Sequence, residues 1–171
     1  VFGCAAPGMW LPECGYYPGL ETVVQQAGYR YFFLEDTGLL NAEPQPRSGV
    51  WAPVACACGV AAFCRDMAAS RQVWSSTEGY PGDPAYREFY RDIAQERDPA
   101  YLARYLPPRG EGVQTGIKYW RITGSEQKDL YDPDKARQRA EDHARHFIQC
   151  RIADIESAAP DMDRPAAITA P

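Results

Sequence analysis

Gly8-Met9-Trp10-Leu11-Pro12-Glu13-Cys14-Gly15-Tyr16-Tyr17-Pro18-Gly19 is the stretch on which the reading of the chain turns. Mostly apolar residues run into a carboxylate at Glu13, and a small-aromatic-Pro-Gly turn follows at once. This is the pattern of a short buried strand that delivers a glutamate from its C-terminal end. In barrels of alternating strands and helices, that end carries the catalytic side chains. Taken alone, the stretch fits equally well a surface glutamate at a loop entrance, paired with a basic neighbour.

The residues that follow favour the strand. Leu20, Val23, Val24 and Ala27 recur at helical spacing, and Gly28 stands where a glycine ends a helix. Tyr29 to Leu34 is a continuous aromatic-aliphatic run, the mark of a strand buried on both faces, and it ends in Glu35-Asp36. Strand, helix and strand with short connections predict a parallel α/β sheet. Asn41 to Pro53 is rich in turn residues and reads as a loop. Gly59 to Cys64 is small and apolar and again ends in charge, at Arg65-Asp66. Parallel strands end on one side of a sheet, so Glu13, Glu35-Asp36 and Arg65-Asp66 are expected to gather at one mouth.

The second half is less regular. Ser70 to Asp83 holds too many turn residues for a core element. Asp83 and Pro84 make a helix start, and Tyr86, Phe89, Tyr90 and Ile93 predict the buried stripe of a short helix. Asp98 to Gly112 reads as loop with a turn of helix, and Gly116 to Thr123 as a further strand. The last helix is the clearest: Asp132 caps it, Pro133 opens it, and Ala136, Ala140, Ala144, Phe147, Ile148 and Ile155 trace one face. His143 and His146 fall within it three apart. With no third ligand at matching spacing, they read as packed or solvated histidines. Ala166-Ala167-Ile168-Thr169-Ala170-Pro171 reads as a strand.

Apolar residues make up 45 % and charged residues 24 % of the 171, the balance of a globular domain and not of a disordered chain. A net charge of −5 lacks the basic surplus of a nucleic-acid binder and suits a neutral or small-molecule substrate. No apolar run approaches the roughly 20 residues of a membrane span, so no membrane partner is expected. The six cysteines sit in a chain long enough to fold without disulfides. Cys56 and Cys58 are too closely spaced for a zinc knuckle, and the histidines are distant. Reduced thiols, a cytoplasmic location and no metal or cofactor are expected. The chain opens on Val1 without a Met, and both ends look cut, so an internal piece of a longer protein is expected.

At Trp10-Leu11-Pro12-Glu13-Cys14 the sequence resembles family 57 of the glycoside hydrolases, and within it most the α-1,4-glucan branching enzymes. Further matching stretches follow in the family's order. They are Tyr29 to Asp36, Phe63 to Asp66, Arg71 to Ser75, Gly79 to Asp83, Tyr86 to Ile93 and Thr115 to Tyr119. The resemblance implies an incomplete (β/α)7 barrel, of which residues 1–171 would be a central portion. It also implies a retaining mechanism on α-glucans of the amylose or glycogen type, with Glu13 as nucleophile. A retaining glycosidase needs one ionised carboxylate at the anomeric carbon and a protonated one roughly 5–5.5 Å away.

The resemblance also makes Trp74 an aromatic platform for sugar C–H faces, the alternative being a core tryptophan. Arg65 and Arg71 either hold Glu13 ionised, bind sugar hydroxyls, or pair structurally with Asp66 or Asp83. Asp66 and Tyr16, with Tyr17, join the expected substrate wall, and Trp10 packs beneath it. Cys14 has no histidine base nearby, so a thiol mechanism is set aside. The family's acid/base aspartate and its N-terminal substrate-binding segment have no counterpart here, so the chain alone is expected to be inactive. An α-amylase, a 4-α-glucanotransferase of the same family or a non-catalytic glucan-binding relative are the alternatives.

Overall fold

A strand β1 at Gly8–Trp10, a helix α1 at Leu20–Gln26 and a strand β2 at Tyr31–Leu34 form the first βαβ unit. The computed structural model describes residues 3–105, 114–162 and 165–166. Apart from Ala166, the strand expected from sequence at Ala166 to Pro171 lies outside them. The chain divides into two compact units, Val1–Gln72 with Phe147–Pro171, and Val73–His146.

In the first unit, α2 (Asp36–Leu40) follows β2 directly, and two further strands, β3 (Val54–Ala55) and β4 (Ala61–Cys64), lead into α3 (Met67–Trp74). The sheet order is β1-β2-β4-β3. β1 and β2 are parallel with Trp10 opposite Phe33, and β2 and β4 are parallel with Leu34 opposite Cys64. β3 runs antiparallel to β4 and was not expected. The predicted parallel α/β arrangement of the first three strands therefore holds, with a short antiparallel edge added.

Side chains alternate across a strand, and that alternation fixes both faces here. Phe32, Leu34, Ala62 and Cys64 join Leu11, Val24, Leu39 and Val60 in the core. Tyr31, Phe33 and Phe63 point the other way, half-buried, and pack ring against ring at 5.6–5.7 Å. β2 is thus fully buried on one face only. β1 is also shorter than its apolar run, and it is an edge strand with Trp10 exposed. Pro12 has no N–H to continue the ladder, and after Leu11 donates to the Phe33 carbonyl at 3.4 Å the chain turns away.

The second unit departs most from expectation. Asp83 does accept from the Ala85 N–H at 2.9 Å, yet no helix follows. The Glu88 N–H donates to the Trp120 carbonyl at 2.8 Å and the Ile122 N–H to Tyr86 at 2.9 Å, so these backbone groups are spent across the chain. Phe89 and Tyr90, read as core, are 66 % and 74 % exposed. Gly116 to Thr123 is correspondingly no sheet strand; it makes isolated bridges, Arg87 with Arg121 and Trp120 with Leu130. Asp92 is the buried anchor of this unit. Its carboxylate accepts from Ala94 N, Gly116 N, Thr115 N and Thr115 Oγ1 at 2.7–3.2 Å.

A short helix α4 (Pro99–Leu102), capped by Asp98, accounts for the helical turn expected after residue 98. α5 (Pro133–Ala158) begins as predicted, with Asp132 accepting from Asp134 N and Lys135 N at 3.0 and 3.2 Å. Of its expected face only Ala136 is buried, and Ile148 and Ile155 are exposed. Among the described residues no helix is long and apolar enough to cross a membrane.

Gly82 explains one stretch of the motif set. A Cβ there would lie 2.0 Å from the Ser76 carbonyl oxygen, which is backbone and cannot swing away. Gly82→Ala is therefore expected to destabilise the second unit by about 1–3 kcal/mol. The check is a lowered urea midpoint at unchanged m-value.

Candidate active site

Because β1, β2 and β4 are parallel, their C-terminal ends deliver Glu13, Glu35-Asp36 and Arg65-Asp66 on the same side of the sheet. Four carboxylates meet this edge, and their engagements differ. Glu35 is in an ion pair with Arg65. Asp36 accepts from the Thr37 N–H at 2.7 Å in the first turn of α2. Asp66 caps α3, its Oδ1 accepting from Ala68 N at 2.9 Å and Ala69 N at 3.2 Å. Glu13 is exposed, and among the described residues no hydrogen bond or ion pair reaches its carboxylate.

The backbone beneath Glu13 is as distinctive as its side chain. Pro12–Cys14 is a 3₁₀ turn in which Glu13 has φ 51° and ψ 22°, and Cys14 has φ 52°. Among the described residues these two alone are non-glycines with positive φ. Left-handed residues of this kind cost about 1–3 kcal/mol each and concentrate at functional sites. The turn closes through Cys14 N–H to Leu11 O at 2.9 Å and Gly15 N–H to Pro12 O at 3.1 Å. Cys14 is buried under the turn, and burial, with the Glu35 carboxylate beside it, raises the thiol above its ordinary pKa. A thiol held protonated is the opposite of an activated nucleophile.

Arg65 lies across this edge. It pairs with Glu35 and not with Asp66 or Glu13, and its guanidinium carbon sits 5.9 Å from the centre of the Trp10 ring. Trp10 stacks on Phe33 at 5.5 Å and remains exposed, whereas Tyr16 stacks on Phe32 on the opposite face, so Trp10 does not pack beneath the Tyr16 wall as expected. Two buried polar atoms of this cluster, Arg65 Nε and Asp66 Oδ2, have no hydrogen-bond partner among the described residues.

The other expected substrate residues lie elsewhere. Tyr16 stacks on Phe32, and its hydroxyl donates to Glu21 at 2.9 Å. Burial and that bond push Tyr16 up to about 12. Its polar end is thus spent on α1. Arg71 is exposed on α3 and has no hydrogen bond or ion pair among the described residues, so within the first unit it does not pair with Asp66. Trp74 ends α3 in the second unit and is 77 % exposed, which excludes the core alternative within the described chain.

Asp83 is structural. Arg139 Nε donates to it at 2.6 Å, and His143 Nε2 lies 3.5 Å away. Burial works to raise the Asp83 carboxyl, but the Ala85 N–H and the Arg139 guanidinium bring it below the usual carboxylate range. His143 shares a hydrogen bond with Tyr86 at 2.8 Å, and His146 one with Tyr80 at 2.7 Å. Both histidines therefore contact the tyrosine rings, His143 half-buried and His146 exposed. Among the described residues no group of three or more His, Cys, Asp or Glu side chains is placed to hold a metal ion.

Comparison with known proteins matches this arrangement to one lineage. The family model for glycosyl hydrolase family 57 covers residues 1–151. The 1,4-alpha-glucan branching enzyme TK1436 of Thermococcus kodakarensis is 34 % identical over 86 % of this chain and 23 % of its own length. The alpha-amylase AmyC of Thermotoga maritima superposes with a TM-score of 0.88 at 43 % identity, over 96 % of this chain and 33 % of that one. The GH57-type branching enzyme of Pyrococcus horikoshii superposes with a TM-score of 0.78 at 31 % identity, over 99 % of this chain and 31 % of that one. The chain thus spans between about a quarter and a third of each of these proteins. With the family model covering the sheet, its charged strand ends and most of α5, the chain belongs to glycosyl hydrolase family 57.

Proposed function

We propose that residues 1–171 are a central part of the catalytic barrel of a retaining 1,4-α-glucan branching enzyme, with Glu13 as its nucleophile. The observation that carries this reading is the Glu13 carboxylate, unpaired among the described residues on a left-handed turn while Glu35, Asp36 and Asp66 are each engaged. A carboxylate locked to a guanidinium or a helix end cannot advance on an anomeric carbon. Glu13 can. The parallel strands, each followed by a helix or helical turn, fit one arc of an incomplete (β/α)7 barrel. The names of the curated relatives support α-glucan as substrate and branching as reaction.

The chemistry proceeds in two displacements. Glu13 attacks C1 of a glucosyl unit while a second carboxylic acid, supplied by the rest of the protein, protonates the departing glycosidic oxygen. The α-1,4 bond breaks and a glycosyl ester forms on Glu13. The 6-hydroxyl of another glucan then attacks C1, giving its proton to the second carboxylate, and the Glu13 ester breaks. Arg65 acts here through Glu35, fixing the strand ends around Glu13. Arg71 and Trp74, both open to solvent, supply sugar contacts. No cofactor enters the reaction, and cysteines that form no disulfide among the described residues fit a cytoplasmic protein.

Products formed from amylose by the full-length protein test the reading. New α-1,6 linkages, found by linkage analysis, are the expected result. The likeness to AmyC favours a second reading, hydrolysis. In that case reducing ends accumulate and no α-1,6 linkage forms, and the branching assignment falls. The 171-residue chain, incubated alone with amylose, is expected to show no steady turnover, and measurable turnover would overturn the assignment of the acid to another part of the protein.

A further inference from the structure

Trp51 has no role in the site above, yet it helps enclose a cavity of about 370 Å³ with Arg47, Ser48, Asp154, Ser157 and Met162. All six belong to the first unit. That volume is at the lower end of the roughly 300–1,000 Å³ typical of small-molecule sites, and it suits a short saccharide better than a bulky cofactor.

Both walls are held in place. On the loop side the Gly49 N–H donates to Pro46 O at 3.2 Å and the Trp51 N–H to Ser48 O at 3.0 Å, with Gly49 at φ 53°. On the α5 side Arg151 donates to Asp154 Oδ2, from Nε at 2.9 Å and from Nη2 at 2.7 Å. Arg151 is itself fixed by Gln72 Oε1 at 2.9 Å and by the Phe147 ring at 4.9 Å. Asp154 is therefore set in position with Oδ1 left without a hydrogen bond among the described residues. The Trp51 ring has no ring partner among them, its indole N–H no acceptor, and Arg47 no ion pair.

The composition of the lining selects the ligand. An anion would meet the Asp154 carboxylate, and a cation would meet the Arg47 guanidinium. A purely apolar ligand would leave the indole N–H, the guanidinium, the Ser157 hydroxyl and Asp154 Oδ1 unmatched. A neutral ring with apolar C–H faces and hydroxyls at its rim satisfies all of them: the face lies on the indole, and the hydroxyls meet donors and acceptors in alternation. We propose that this cavity is a saccharide-binding site that takes a glycosyl unit with Trp51 as its platform. That the saccharide is an α-glucan rests on the function proposed above.

The test is a titration of the 171-residue chain with maltoheptaose, cellohexaose and inorganic phosphate. It follows the Trp51 indole N–H resonance, assigned by its loss in Trp51→Phe. Maltoheptaose is expected to move that resonance saturably, with affinity falling about tenfold in Trp51→Ala and about threefold in Arg47→Ala. The resonance shift is read on the unaltered chain, so it decides the matter even if Trp51→Ala fails to fold. A Trp51 signal that moves with neither oligosaccharide overturns the proposal, as does one that saturates with phosphate. Maltoheptaose binding that leaves Trp51 still and moves Trp74 overturns this site but keeps the α-glucan function. A response to cellohexaose alone upholds the saccharide site and removes the α-glucan reading.

Discussion

Glu13→Gln in the full-length protein is expected to lower turnover on amylose by about 10⁴-fold or more, the order seen when a member of a catalytic set is removed. Binding of maltoheptaose should stay within about threefold of the unaltered protein, well under 1 kcal/mol. Glutamine keeps the length of the side chain and places the same demand on the left-handed backbone at φ 51°, so the turn is retained. It removes only the charge and the oxygen that forms the glycosyl ester. No ion pair is lost, because among the described residues none reaches Glu13, and calorimetric stability should be unchanged. The measurements are initial rates by iodine staining, calorimetric binding and thermal unfolding. Activity above a tenth of the original would remove Glu13 from the nucleophile role.

Asp92→Ala is expected to be the most damaging single change to the second unit, at about 3–5 kcal/mol. Asp92 is 1 % exposed, and its loss strands the Ala94, Thr115 and Gly116 N–H groups together with the Thr115 hydroxyl. Asp92→Asn keeps one acceptor but turns an amide toward a backbone N–H, so it recovers only part of the loss. The same carboxylate makes the unit acid-sensitive. Burial alone would raise its pKa, but the Ala94 N–H and the Thr115 and Gly116 donors outweigh that and hold it below the ordinary value. A depressed folded-state pKa adds stability that is complete above the unfolded value, about 3.9, and is lost as pH falls through the folded value. Urea midpoints measured from pH 7 down to pH 2 should fall less in Asp92→Asn than in the unaltered chain. Parallel curves would show that Asp92 has no part in the acid response.

The strand ends were legible because a parallel sheet turns a one-dimensional pattern, apolar run then charge, into a shared edge. Glu13, Glu35 and Arg65 could be gathered without coordinates for that reason. Their pairing could not be read. The sequence suggested Glu13, Asp66 or Asp83 as partners for Arg65, and the actual choice of Glu35 depends on β2 lying between β1 and β4. The helix expected through Tyr86, Phe89, Tyr90 and Ile93 shows the opposite limit. Its apolar spacing is helical, but spacing does not say where backbone donors go, and residues 117–122 had already claimed them. The Trp51 cavity left no local pattern, since its walls come from a loop and from a helix end about a hundred positions later.

The left-handed turn at Glu13 and Cys14 has a consequence for how this protein can be improved. Glycine adopts that conformation without the steric penalty a glutamate carries, so at position 13 the backbone and the reaction favour different residues. A library sorted on heat resistance alone would drift toward glycine or asparagine there and shed the reactive carboxylate while its survivors grew sturdier. Durability and turnover compete at this one residue, and any stability screen has to be paired with an activity screen to keep the glutamate.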